Sequence, residues 1–91
     1  MGILAAFLKT KREACGLTQI EVAKKLGYSS PQFISNWERG LSTPPMNKLK
    51  KLGELYNVSG DEIFEVLLQE TLKKVEEDLT RKFYGRARKA Q

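Results

Sequence analysis

TQIEVAKKLGYSSPQFISNWERG, residues 18–40, decides how this chain folds. Thr18-x-x-Glu21 is a capping box. The Thr hydroxyl accepts from the backbone N–H three residues on, and the Glu carboxylate accepts from the N–H of Thr18. The box opens a short helix reaching about Leu26, with Ile20, Val22, Ala23 and Leu26 apolar. Gly27 then supplies a turn, because it takes positive φ without strain. Ser30-Pro31 opens the next helix, with Ser as cap and Pro at the first helical position, where its missing N–H costs nothing. That helix ends at Arg39-Gly40. Ile34 and Trp37, three apart, face inward and anchor it. Gln32, Phe33, Ser35, Asn36 and Arg39 stay outward, with Ser29 and Ser30 at the helix entrance.

Two short helices that cross tightly at a small residue, here Ala23, form a helix-turn-helix. That motif sets a few polar side chains of its second helix against base edges in a DNA major groove. Gln32 and Asn36 suit the task. Their amides bond adenine N6 and N7 in a bidentate manner, worth roughly 1–3 kcal/mol of discrimination per contact.

On the amino-terminal side, Ile3 to Ala14 holds apolar residues at 3, 4, 7, 8 and 14 and no Gly or Pro, which predicts an amphipathic helix. Gly16 ends it. On the other side, Leu41 to Pro45 reads as a loop. Met46, Leu49, Leu52, Leu55 and Tyr56 then follow at helical spacing. Asn57 to Ser59 breaks that helix, and Ser59-x-x-Glu62 predicts a second capping box. No Gly or Pro occurs from Asp61 to Tyr84, so the fifth helix is expected to be long, up to about 25 residues. No strand pattern, repeat or low-complexity stretch appears. The expected class is all-α.

Composition narrows the chemistry. Ninety-one residues make one small core, and 41% hydrophobic with 30% charged residues is an ordinary globular balance. No apolar run approaches the roughly 20 residues of a membrane span, and Met1 to Leu8 lacks the features of a signal peptide. Cys15 is the sole cysteine and there is no histidine. Intrachain disulfides, Cys/His metal clusters and Ser-His or Cys-His catalysis are thereby excluded. No catalytic residue, metal ligand or cofactor is expected. A single cysteine suits a reducing cytoplasm, and Cys15 itself reads as a small core residue. The net charge of +5 is unevenly spread. Residues 1–58 hold nine basic and four acidic residues, 59–78 seven acids and two lysines, and 79–91 five basic residues and no acid. A basic amino-terminal part suits a polyanion partner.

Residues 8–65 resemble the helix-turn-helix of the Xre family, also called lambda-repressor-like or Cro/C1-type. The resemblance rests on Arg12, Gly16-Leu17-Thr18-Gln19-x-Glu21-x-Ala23, Leu26-Gly27 and Ile34-x-x-Trp37-Glu38-Arg39-Gly40. Pro44-Pro45, Leu49-x-x-Leu52 and Tyr56-Asn57-Val58-Ser59 extend it. It implies a five-helix lambda-repressor-like DNA-binding domain with an extended carboxy-terminal helix. It also implies base contacts from Gln32 and Asn36, with Phe33 and Ser30 beside them. Phe33 is open between partial core and contact with a thymine methyl. Phosphate contacts are implied for Gln19, Thr18, Ser35, Arg39, Thr43 and Lys48, with Gln19 also bracing the first side chain of the recognition helix. Glu38 resembles an inner acid that pairs with a helix-one arginine, here Arg12. One feature departs from the family pattern. The span from Gly27 to Ile34 is one residue longer than usual, and the extra residue falls in the Tyr28-Ser29-Ser30 turn. Because Pro31 has no N–H, base readout shifts onto Gln32 and its neighbours.

The division expected is residues 1–65 as the DNA-binding domain and 66–91 as a helical extension with a basic tail from Arg86 to Lys89. Leu68, Leu72, Val75 and Leu79 follow a 4-3-4 spacing and Phe83 lies four further on, a short coiled-coil-like seam. The seam serves either dimerisation or folding back on its own domain, with dimerisation preferred. The overall expectation is a cytoplasmic DNA-binding transcriptional regulator, a repressor working as a homodimer on a palindromic operator. Two alternatives remain. One is an antitoxin whose last helix binds a toxin, and the other is a protein-interaction module without DNA binding. A regulatory protein partner through residues 66–91 is also compatible, and no membrane partner is expected.

Overall fold

The computed structural model describes residues 2–85, and the expected basic tail at 86–91 lies outside them. Five helices follow in order: α1 (Ile3–Ala14), α2 (Gln19–Lys25), α3 (Gln32–Glu38), α4 (Met46–Leu55) and α5 (Gly60–Tyr84). No strand occurs among the described residues. α1 packs against α3 and α5, α2 against α3, and α4 against α5. Leu8, Val22, Ile34, Leu49 and Leu52 are almost wholly buried where these helices meet, with Trp37, Tyr56 and Ile63 around them.

The helix ends follow local chemistry. Thr18 forms the full capping box: its hydroxyl accepts from Glu21 N–H at 3.2 Å, and its own N–H donates to Glu21 Oε1 at 2.8 Å. Gly27, at φ 89°, closes α2 and lets the Tyr28 N–H donate to Ala23 O at 2.9 Å. α4 is followed by its C-cap Tyr56 and then by Asn57 at φ 57°, and the Val58 N–H donates back to Gly53 O at 2.8 Å. Gly53 lies at the crossing with α5. A Cβ there would stand 3.3 Å from Ile63 Cγ1 and from Val58 O, so glycine lets the two helices close up.

Three local expectations are corrected. α3 begins at Gln32, so Pro31 is its N-cap and not its first helical residue. Ser30 still contributes, since its Oγ accepts from the Gln32 N–H at 3.4 Å. At α5 only half of the second box forms. Ser59 Oγ accepts from Glu62 N–H at 3.1 Å, while the Glu62 carboxylate turns to Lys11 Nζ, 3.6 Å away. Cys15 is exposed, not core. α1 stops at Ala14, which leaves Cys15 as a C-cap at the rim, its thiol toward Tyr56 O at 3.5 Å.

α1 is capped from a distance. Gly2 precedes it and offers no side chain, so Glu70 of α5 fills the role. Glu70 Oε1 accepts from Ile3 N–H at 2.8 Å and Leu4 N–H at 3.4 Å. A Cβ on Gly2 would strike the Glu70 carboxylate. Burial pushes the Glu70 carboxyl up, but the Leu4 and Ile3 amides and Lys74 outweigh it and hold it below the usual carboxylate value. The negative charge also complements the positive end of the helix dipole.

Candidate nucleic-acid interface

α3 is seven residues long, too short to be stable alone, and is held by what lies beneath it. Ile34 and Trp37 are 1% and 3% exposed, and they fix which side of the helix turns outward. Gln32 and Phe33 lie on that outer side, with Ser35 and Asn36 half-buried beside them. Gln32 Nε2 donates to Asn36 Oδ1 at 2.9 Å, so the two expected base-contacting residues form one amide pair a single turn apart. Such a pair presents a fixed row of donors and acceptors along the helix.

Glu38 anchors the far end of α3. It is 3% exposed, and both of its oxygens are occupied. Arg12 Nε donates to Glu38 Oε2 at 2.7 Å and Nη2 donates to Oε1 at 3.0 Å, a bidentate pair. Arg12 Nη1 donates to Leu17 O at 2.7 Å, fastening the turn between α1 and α2. The hydrogen bonds that Arg12 donates to Glu38 raise the guanidinium pKa further, against the opposing effect of burial. Gln19 Nε2 completes the group, donating to Glu38 Oε1 at 3.0 Å. Helices α1, α2 and α3 thus meet on one carboxylate.

The entrance to α3 is built from aromatic rings. Tyr28 and Phe33 stack with centroids 4.7 Å apart, and Trp37 lies edge-on to Tyr28 at 6.0 Å. Phe33 is 51% exposed, so one face of its ring packs and the other is presented to solvent. Lys48 Nζ lies 5.1 Å over the Tyr28 ring and donates to Leu26 O at 2.9 Å. The lysine therefore caps the end of α2. This role was invisible in the sequence, where Lys48 read as a phosphate ligand.

The remaining expected phosphate residues divide. The Thr18 hydroxyl is engaged with Glu21, and the Gln19 amide with Glu38. Arg39 is exposed and shares a polar hollow with Gly2, Glu70, Lys73 and Lys74, on the α5 side of the motif. Thr43 is exposed in the loop before α4. The structure brings Arg12, Gln19 and Glu38 together, and likewise Gln32 and Asn36. It does not bring Arg39 to the Gln32 end of α3. On α5, Leu68 is half-buried while Leu72, Val75, Leu79 and Phe83 are exposed.

Comparison with known proteins agrees with this geometry. Residues 8–63 match the family described as Helix-turn-helix. The HTH-type transcriptional regulator ImmR of Bacillus subtilis (strain 168) is 40% identical over 80 residues, covering 88% of this chain and 61% of ImmR. The chain thus spans less than two-thirds of the length of that relative. No solved structure matches.

Proposed function

The chain belongs to the Xre, or Cro/C1-type, helix-turn-helix family of DNA-binding transcriptional regulators, which are not enzymes, and from that premise we propose that it is a repressor binding a palindromic operator as a homodimer. The observation that carries the proposal is the Gln32–Asn36 amide pair, presented on the outer side of a helix whose inner side is locked by Ile34, Trp37 and Glu38. In this reading Gln32 and Asn36 read base edges, with the open face of Phe33 and Ser30 beside them. Ser35, Arg39 and Thr43 supply phosphate contacts. Thr18, Gln19 and Lys48 act indirectly, holding the helices that present the others. Each copy supplies one α3, and the two copies engage half-sites about 34 Å apart, one turn of DNA. The unit involved is residues 1–65, with 66–91 holding the second copy. Occupation of a promoter by such a dimer excludes polymerase.

Gln32→Ala and Asn36→Ala test the readout. Each is expected to weaken binding to the preferred site, selected from a random DNA pool, by about 5- to 150-fold. Binding to unrelated DNA should change little. An equal loss on both kinds of DNA would refute the assignment. The exposed apolar side of α5 also supports a second reading, in which another protein, such as a toxin, occupies it. Sedimentation of the isolated protein separates the two readings, since a monomer at micromolar concentration would favour the second.

A further inference from the structure

Along α5 the exposed apolar residues are arranged symmetrically. Phe64, Leu68, Leu72, Val75, Leu79 and Phe83 are spaced 4-4-3-4-4. At 3.6 residues per turn they fall within an arc of about 100°, a single stripe. Among the six, Leu68 is half-buried, and the others are 49% to 82% exposed. The spacing reads the same from either end, with its centre between Lys73 and Lys74.

We propose that α5 pairs with α5 of a second copy in an antiparallel arrangement, about a two-fold axis passing beside residues 73 and 74. The proposal rests on the homodimer reading above and specifies its geometry. In this register Leu72 lies level with Val75 of the second copy, and Leu68 with Leu79 of the second copy. Phe64 and Phe83 close both ends.

Charge selects this direction over the parallel one. In the antiparallel register Glu65 is level with Lys82 of the second copy, so opposite charges meet at each end of the seam. A parallel pair in register would instead set Glu65 beside Glu65, and its flanking positions offer no opposite-charge pair. Lys73 and Lys74 lie on the far side of the helix, where Lys74 pairs with Glu70 at 3.4 Å, so they stay clear of the axis.

The area is also sufficient. Five large apolar side chains, each roughly half exposed or more, offer on the order of 500 Å² per copy, or about 1,000 Å² for the pair, where specific interfaces begin. Met46, 62% exposed in the groove beside Phe64, extends the apolar surface toward the distal end of the second helix.

Cysteine cross-linking tests the register on the full chain, with Cys15→Ser as background. Leu68 and Leu79 are 11 positions apart, about 16 Å along the helix and beyond disulfide reach. A mixture of Leu68→Cys and Leu79→Cys chains is expected to yield the mixed disulfide, with neither variant linking to itself. Self-linked Leu79→Cys in a sedimenting dimer would overturn the antiparallel register while leaving the dimer standing. A dimer without either disulfide would place the interface off this stripe and overturn the proposal. A monomer would overturn both this geometry and the homodimer reading. Leu72→Glu, at a position 54% exposed, should leave the helical fold intact and abolish the dimer. A dimer surviving that change would overturn the seam.

Discussion

Glu38 is the most heavily used side chain of the helix-turn-helix, since it accepts from Arg12 twice and from Gln19 once. The neighbouring Glu21, also in the motif, acts only locally through Thr18. Removing one member of a buried pair leaves the other charge desolvated without a partner. Glu38→Leu is therefore expected to cost about 3–5 kcal/mol, read from urea unfolding. Combining it with Arg12→Met should cost far less than the two single changes added together, because the stranded charge disappears as well. Simple additivity in that cycle would mean the pair does not act as a unit. The pairing of Arg12 with Glu38 was readable from the family resemblance. The third partner, Gln19, was expected from the resemblance to bond a phosphate and to brace the first side chain of the recognition helix; its contact with Glu38, at the other end of α3, is set by how α2 packs on α3.

At the scale of elements, α1 and α5 depend on each other through Glu70. Its folded-state pKa lies below 4.5, so the native state binds the proton more weakly than the unfolded chain. The stabilisation is complete above about pH 4.5 and is lost as pH falls through the lower folded value. Glu70→Gln should flatten the acid limb of the stability curve, since an amide oxygen still accepts but does not titrate. An unchanged acid limb would exclude Glu70 as its source. Gly53 makes a comparable demand between α4 and α5. Gly53→Ala brings a methyl within 3.3 Å of Ile63 Cγ1 and Val58 O and should cost about 1–3 kcal/mol in thermal unfolding. The helix boundaries themselves were legible, because Thr18, Gly27, Ser59 and Gly85 are strong punctuation within the chain. The Glu70 cap was not, because its partners lie 66 and 67 residues away.

For the whole molecule, the amino-terminal basic surface and the projecting half of α5 work together in the proposed dimer. Beyond residue 70 the described part of α5 has no buried residue, so its apolar stripe faces solvent in the single chain. Truncation after Lys74 retains the Glu70 cap and the Ile63 core contact. It should leave thermal stability of the monomer nearly unchanged while sedimentation shifts to monomer. With Arg39 of each copy and the basic amino-terminal part neutralising phosphates, operator affinity should fall as salt rises, with a log–log slope that counts those cationic contacts. A flat salt response would exclude that phosphate grip.

The sequence alone determined the five helices, the capping box at Thr18, the turn at Gly27 and the inward side of α3. These depend on spacing within a turn or two and on residues that act on their own backbone. The likeness of residues 8–65 to the Xre family added the expected roles of Arg12, Glu38, Gln32 and Asn36. Tertiary structure decided which partners the polar side chains meet within the chain. Thr18 bonds within its own helix, while Gln19, Lys48 and Glu70 bond to other elements, and a hydrogen bond between distant elements leaves no period in the sequence. Packing likewise decided which part of α5 is covered. The first turns lie against α1 and α4, and the remaining stripe is exposed.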